Sequence, residues 1–143
     1  MNDLKIKIKK LNLNAIIPKY AHEGDAGMDL FSCEDCIIKA GERELVSTGL
    51  SIELPEGYVA LIWDKSGLAV NKGIKTMAGV IEYTYRGEYK IALLNTSKQD
   101  WIINKGDKIA QLLIQPIATA DIIEAEKLSE TSRGDGAFGS TGR

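Results

Sequence analysis

The stretch Leu50-Ser51-Ile52-Glu53-Leu54-Pro55-Glu56-Gly57-Tyr58-Val59-Ala60-Leu61-Ile62-Trp63 decides the fold. It holds two short apolar runs, residues 50–54 and 58–63, broken by Pro55-Glu56-Gly57. Each run is too short for an ordinary helix, and a proline and a glycine so close together turn the chain back. The pattern continues outward in both directions. Residues 37–38, 44–47, 90–95, 101–103, 108–115 and 122–124 are further strand-like runs, with turns at Lys39-Ala40-Gly41-Glu42 and Asn104-Lys105-Gly106-Asp107. Near the start, Leu4, Ile6 and Ile8 alternate with Lys5, Lys7 and Lys9, the two-residue period of a half-exposed strand. Many short strands at this spacing predict an all-β domain, a jelly roll, sandwich or barrel. Only residues 66–73 read as helical, a turn or two opened by a Ser66 cap and closed by Gly73.

The 143 residues fit one domain with a single core. With 44% hydrophobic and 27% charged residues, the composition is that of a soluble globular protein. Eighteen basic against 20 acidic residues leave a net charge of −2, which argues against a nucleic-acid or anionic-membrane surface. The first residues, Met1-Asn2-Asp3-Leu4-Lys5, carry no apolar leader, and no run approaches a membrane span, so a cytoplasmic protein is expected. Cys33 and Cys36 form a C-x-x-C pair, but His22 is the only histidine to complete a metal set and no helix pattern follows them. They read as strand-end cysteines, and His22 as a surface loop residue. The part played by the cysteines stays open.

Three glycine-bearing segments are richer than turns require. In Asp64-Lys65-Ser66-Gly67-Leu68-Ala69, a strand feeds a helix start, where free N–H groups, a cation and a hydroxyl suit phosphate. A plain serine cap would leave the same trace. Residues 78–88, Ala-Gly-Val-Ile-Glu-Tyr-Thr-Tyr-Arg-Gly-Glu, read as a strand, a tight reversal near 82–87, and a returning strand from Tyr89. Such a hairpin offers backbone donors and acceptors to a base edge, though an ordinary hairpin with a core aromatic would look alike. The last segment, residues 129–143, is small, polar and glycine-rich. It is expected to be a flexible arm distinct from a β domain over residues 1–128. Arg133, Phe138 and Gly139-Ser140-Thr141 could nonetheless clamp a nucleotide, with guanidinium on phosphate and ring on base.

Taken together, Ala26-Gly27-Met28-Asp29-Leu30, Lys65 to Ala69, Gly79 to Glu88, Gly106-Asp107-Lys108-Ile109-Ala110-Gln111-Leu112 and Arg133 to Gly142 resemble, in order, the five motifs of the trimeric dUTPase family. The resemblance covers residues 26 to 142. It implies a distorted jelly-roll of the dUTPase-like (β-clip) kind, assembled as a homotrimer whose chains share active sites. The activity implied is hydrolysis of dUTP to dUMP and pyrophosphate, which limits uracil in DNA and supplies dUMP for thymidylate synthesis. In that scheme Lys65, Ser66, Gly67 and Gln111 hold phosphates, while the backbone at Gly79, Val80 and Ile81, with Lys90, reads uracil. Tyr85 lies beneath the deoxyribose and leaves no space for a 2′-hydroxyl. Arg133 reaches a phosphate, Phe138 stacks on uracil, and Gly139, Ser140 and Thr141 close over the γ-phosphate. Glu82 primes the attacking water, and Asp29 orients groups near the sugar or that water. The implied cofactor is Mg2+, carried by the substrate's phosphates with no protein ligands.

Two positions depart from the family pattern. Glu82 stands where the family has aspartate, and one more methylene moves the carboxylate by up to about 1.5 Å, a displacement that can cost on the order of 10²-fold in rate. Lys65 replaces the more common arginine, keeping the charge but losing the fork. A dUTP-binding regulatory protein with weak or no turnover is therefore the alternative. The related dCTP deaminases share the fold, but their catalytic glutamate falls at Ala92, which has no side chain for the work.

Overall fold

The computed structural model describes residues 3–142. Met1, Asn2 and the final Arg143, and with them the ends of the expected leader-free start and of the arm, lie outside the described residues. Eleven strands and one helix follow one another: β1 (Lys7–Lys10), β2 (Met28–Phe31), β3 (Cys36–Ile38), β4 (Arg43–Ser47), β5 (Leu50–Glu53), β6 (Tyr58–Trp63), α1 (Ser66–Lys72), β7 (Ile74–Met77), β8 (Val80–Glu82), β9 (Lys90–Asn95), β10 (Trp101–Ile103) and β11 (Lys108–Pro116). They form four small sheets, β1-β5, β10-β3, β2-β11-β6-β8 and β4-β9-β7, in which every pairing is antiparallel. The fold is all-β, as the sequence predicts.

Alternation explains the core. Along β9, Ile91, Leu93 and Asn95 turn inward while Lys90 faces solvent; along β7, Ile74 and Thr76 are buried between exposed neighbours. Leu30, Ile38, Leu50, Ile52, Ile103 and Leu112 meet them from the other sheets, all buried. Fully burying such a side chain contributes about 1.5–3 kcal/mol. Asn95 is the polar exception, satisfied by donating to Ile38 O (2.9 Å) and Gln99 O (2.7 Å).

Several expectations need correcting. β2 and β7 do not stand out in the sequence because each is four residues long and the first three residues of β2 are all buried, so it lacks alternation. Residues 122–124 form no strand: Ile122 and Ile123 are 96% and 84% exposed, and no neighbouring strand lies beside them within the chain. At α1 the N-cap is Lys65, not Ser66, and no side chain caps the helix; Ser66 is its first residue. Gly73 closes it as expected, in the left-handed region at φ 67°. The two arms around residues 82–87 do not pair as a hairpin, since β8 bonds to β6 while β9 bonds to β4 and β7. The reversal is real, but its arms splay into different sheets.

Candidate active site

Sheet register gathers one half of the site. Gln111 of β11 lies opposite Asp29 of β2 on one side and Trp63 of β6 on the other. Asp64 and Lys65 follow Trp63 directly, so the sequence-distant segments around 29, 65 and 111 become neighbours by strand pairing. Asp29 is the electrostatic centre. One of its oxygens accepts from Lys65 Nζ and the other pairs with Lys108 Nζ at 3.0 Å. Burial pushes the Asp29 carboxyl up, and the two lysines more than reverse that, holding it below its ordinary value. Gln111 Nε2 donates to Asp64 O at 2.7 Å, leaving its second N–H for a ligand. Gly27 is a necessity of contact here: a Cβ would collide with the Gln111 amide. These groups, with His22 and Asp25, line a cavity of about 340 Å³.

The turn before the helix is set by Asp64, a residue to which the sequence pattern gives no role. Its carboxylate accepts from Thr76 N and Thr76 Oγ1, both at 2.6 Å, and from Lys75 Nζ at 2.8 Å. Burial raises its carboxyl, and Lys75 and Thr76 lower it further than burial raises it. Asp64 thus ties the end of β6 to β7 while its carbonyl holds Gln111. Lys108, Asp64 and Leu45 of the second cavity are site residues that no motif reading isolates, because their roles depend on partners far along the chain.

The other half lies between β8 and β9. Val80, Ile81, Glu82, Tyr85, Glu88, Tyr89, Lys90 and Leu45 line a cavity of about 590 Å³, so the splayed arms make a pocket where a paired hairpin would close it. Gly79 enters β8 at φ 107°, and a Cβ there would stand 2.8 Å from Ile62 O; glycine lets β8 press against β6. The reversal is braced at each end. Tyr85 N donates to Glu82 O (3.0 Å), Arg86 donates to Tyr83 O (2.6 Å), and Ser51 Oγ donates to Arg86 O (2.6 Å). Glu82 is exposed and its carboxylate has no partner among the described residues. Tyr89 supports the pocket from the core, its hydroxyl pushed up to about 12 by burial and therefore neutral.

The tail completes neither half within one chain. Arg133 Nε donates to Gly136 O at 2.8 Å, and the hydrogen bonds of residues 129–142 all close inside that segment. Phe138 is fully exposed. The two halves are also apart: Glu82 pairs with Val59, near the start of β6, whereas Lys65 follows its far end. Four strand steps run from Val59 to the end of β6, about 13 Å of backbone, and Lys65 lies two residues beyond it.

A dUTPase family model matches residues 13–142, nine-tenths of the chain. The chain belongs to the dUTPase family. The deoxyuridine 5′-triphosphate nucleotidohydrolase of Hydrogenobaculum sp. is 49% identical over 97% of this chain and 99% of its own length. Among solved structures, the dUTPase of Staphylococcus bacteriophage 80alpha with dUpNHpp superimposes with a TM-score of 0.91, at 29% identity over 97% of this chain and 99% of that one. A variant dUTPase from phage phi11 of S. aureus, described with a coordinated structural Mg(II) ion, gives a TM-score of 0.81 at 29% identity, covering 86% and 97%. Among the described residues, no group of three or more His, Cys, Asp or Glu side chains could hold a metal, and no helix is long and apolar enough to cross a membrane.

Proposed function

We propose that this chain hydrolyses dUTP to dUMP and pyrophosphate in sites assembled from more than one copy of itself. The observation that carries the reading is the division of the site. A phosphate-suited cavity lined by Lys65 and Gln111, with Ser66 and Gly67 following Lys65 in the first turn of α1, stands at one end of β6, and a base- and sugar-sized pocket with a free carboxylate at the other. A base must come within hydrogen-bond reach of the water it activates, roughly 2.6–3.2 Å. That separation along β6 exceeds the reach of a base for its water, which supports a pocket of one copy facing the cradle of another. Exposed Ile122, Ile123 and Leu128 beyond the last strand give such copies apolar surface to share. The resemblance to trimeric dUTPases supports a homotrimer as that assembly.

The reaction runs as an in-line displacement. Glu82 takes a proton from water, the water oxygen bonds to the α-phosphorus, and the bond to the bridging β-phosphate oxygen breaks as pyrophosphate leaves. Lys65 and Ser66, the Gly67 amide and the free N–H of Gln111 hold the phosphates. Asp29 sets where Lys65 points. The edges of Gly79, Val80 and Ile81, with Lys90, read uracil, and Tyr85 supports the deoxyribose. Residues 129–143 act as an arm that closes on the bound nucleotide: Arg133 to phosphate, Phe138 on the base, Gly139, Ser140 and Thr141 over the γ-phosphate. Each Asp29 oxygen already faces a lysine ammonium group, and that positive charge disfavours a cation at this carboxylate. Magnesium would be carried by the substrate's phosphates, with no protein ligand assigned, and would supply neutralisation of the triphosphate charge.

The test is pyrophosphate release from dUTP with dCTP, dTTP and UTP alongside. Turnover confined to dUTP supports the assignment. Tight binding without turnover would instead make the protein a dUTP-responsive regulator.

A further inference from the structure

The turn that carries Tyr85 contains a second constraint. Tyr85 is half-exposed, and its hydroxyl donates to Glu88 O at 3.0 Å, folding the ring back over the two intervening residues. Directly beneath it is Gly87. A Cβ built there would overlap the Tyr85 hydroxyl and stand 2.5 Å from its Cζ and 2.9 Å from its Cε2; these three ring atoms are the nearest in the structure. Nothing else demands glycine. Gly87 is outside the left-handed region that disfavours other residues, unlike Gly79 in the same segment. The flanking carbonyl is also fixed: the Glu88 carboxylate accepts from Ser47 Oγ at 3.1 Å and faces Lys90 Nζ at 3.8 Å. The ring therefore lies on a bare stretch of backbone, clamped at its hydroxyl to a residue anchored on β4.

We infer that Gly87 is a specificity-determining position, which sets the height of the Tyr85 ring in the pocket and so the space left for the sugar's 2′ position. This rests on the reading of Tyr85 as the platform beneath the deoxyribose. A methyl at position 87 forces the ring to retreat by roughly 1 Å before ordinary contact is restored, a displacement that near chemistry costs on the order of 10²-fold. The ring cannot go further into the turn, so it moves toward the sugar or swings out of the pocket. Either movement changes how deoxyribose and ribose are told apart, and shape-based discrimination by one small group is worth roughly 10- to 200-fold. Gly87 touches no substrate and acts only through the ring, as a positioning residue.

The experiment is a double-mutant cycle read in kcat/KM for dUTP and for UTP, using Gly87→Ala, Tyr85→Ala and the two combined in the full chain. Gly87→Ala is expected to change the dUTP-to-UTP ratio by about ten-fold or more. Combined with Tyr85→Ala it should add nothing, because the atoms it displaces are gone. If Gly87→Ala alone does not fold while the combined chain does, the conflict is with the ring, as inferred. Two results overturn the inference: an unchanged ratio in Gly87→Ala with Tyr85→Ala shifted, or a combined chain that loses the sum of both effects or fails to fold. A Tyr85→Ala chain that discriminates as well as the parent removes the platform itself, and with it the basis for Gly87.

Discussion

In the proposed mechanism Glu82 carries the chemistry, at the position where the family resemblance places aspartate. Its carboxylate is unpartnered and borders the pocket, which leaves it free to hold a water. Glu82→Gln keeps the shape and removes the base, so turnover should fall by about 10²–10⁴-fold with little change in KM. Glu82→Asp should retain or raise the rate, measured by steady-state dUTP hydrolysis. A Gln variant that turns over normally rules this carboxylate out as the base. Residues such as Glu82, Tyr85 and Gln111 were legible in the sequence because they sit in recognisable strings. Lys108 and Leu45 were not. Lys108 matters through its contact with Asp29, 79 positions earlier, and Leu45 through a strand partner on β9.

At the scale of elements, the site depends on how β6 ends. Asp64 binds β7 through three hydrogen bonds and so aims Lys65 and supports Gln111. Hydrogen bonds to a charged group contribute about 1.5–3 kcal/mol, so Asp64→Ala should lower stability on that scale and weaken substrate binding. The folded-state carboxyl is held below its value in the unfolded chain. Its contribution is therefore fully present above an unfolded pKa of about 3.9 and is lost as pH falls through the lower folded value. Acid unfolding followed by circular dichroism should show Asp64→Ala converging with the parent below about pH 4 while differing at pH 7. The strands with alternating side chains or clear turns, β6, β9 and β10, were readable to the residue. The pairing of β8 was not, because a strand followed by a reversal predicts a hairpin, and only the close approach allowed by Gly79 sends β8 to β6 instead.

At the scale of the whole molecule, no single chain encloses the substrate in the proposed assembly. The arm touches neither half of the site within its own chain, and closing it costs roughly 0.5–1.5 kcal/mol for each side chain it immobilises. In the proposed mechanism that cost is offset only when a complete triphosphate is bound. Deleting residues 130–143 should leave the assembly intact by light scattering while hydrolysis falls on the order of 10²-fold, as expected when positioning is lost. A truncated chain with full activity would remove the arm from the mechanism. The proposed division of labour between chains was open to the sequence only through resemblance, since separation along β6 is a property of register.

That division is tested most directly by mixing two chains, Glu82→Gln and Lys65→Ala, each nearly inactive alone. After joint unfolding and refolding, random assembly of a symmetric trimer leaves about a quarter of the sites with an intact Glu82 from one copy and an intact Lys65 from its neighbour. The account predicts that dUTP turnover returns to a corresponding share of the parent's. A mixture no more active than its two components, with mixed assemblies demonstrated by mass, would mean that each chain works alone.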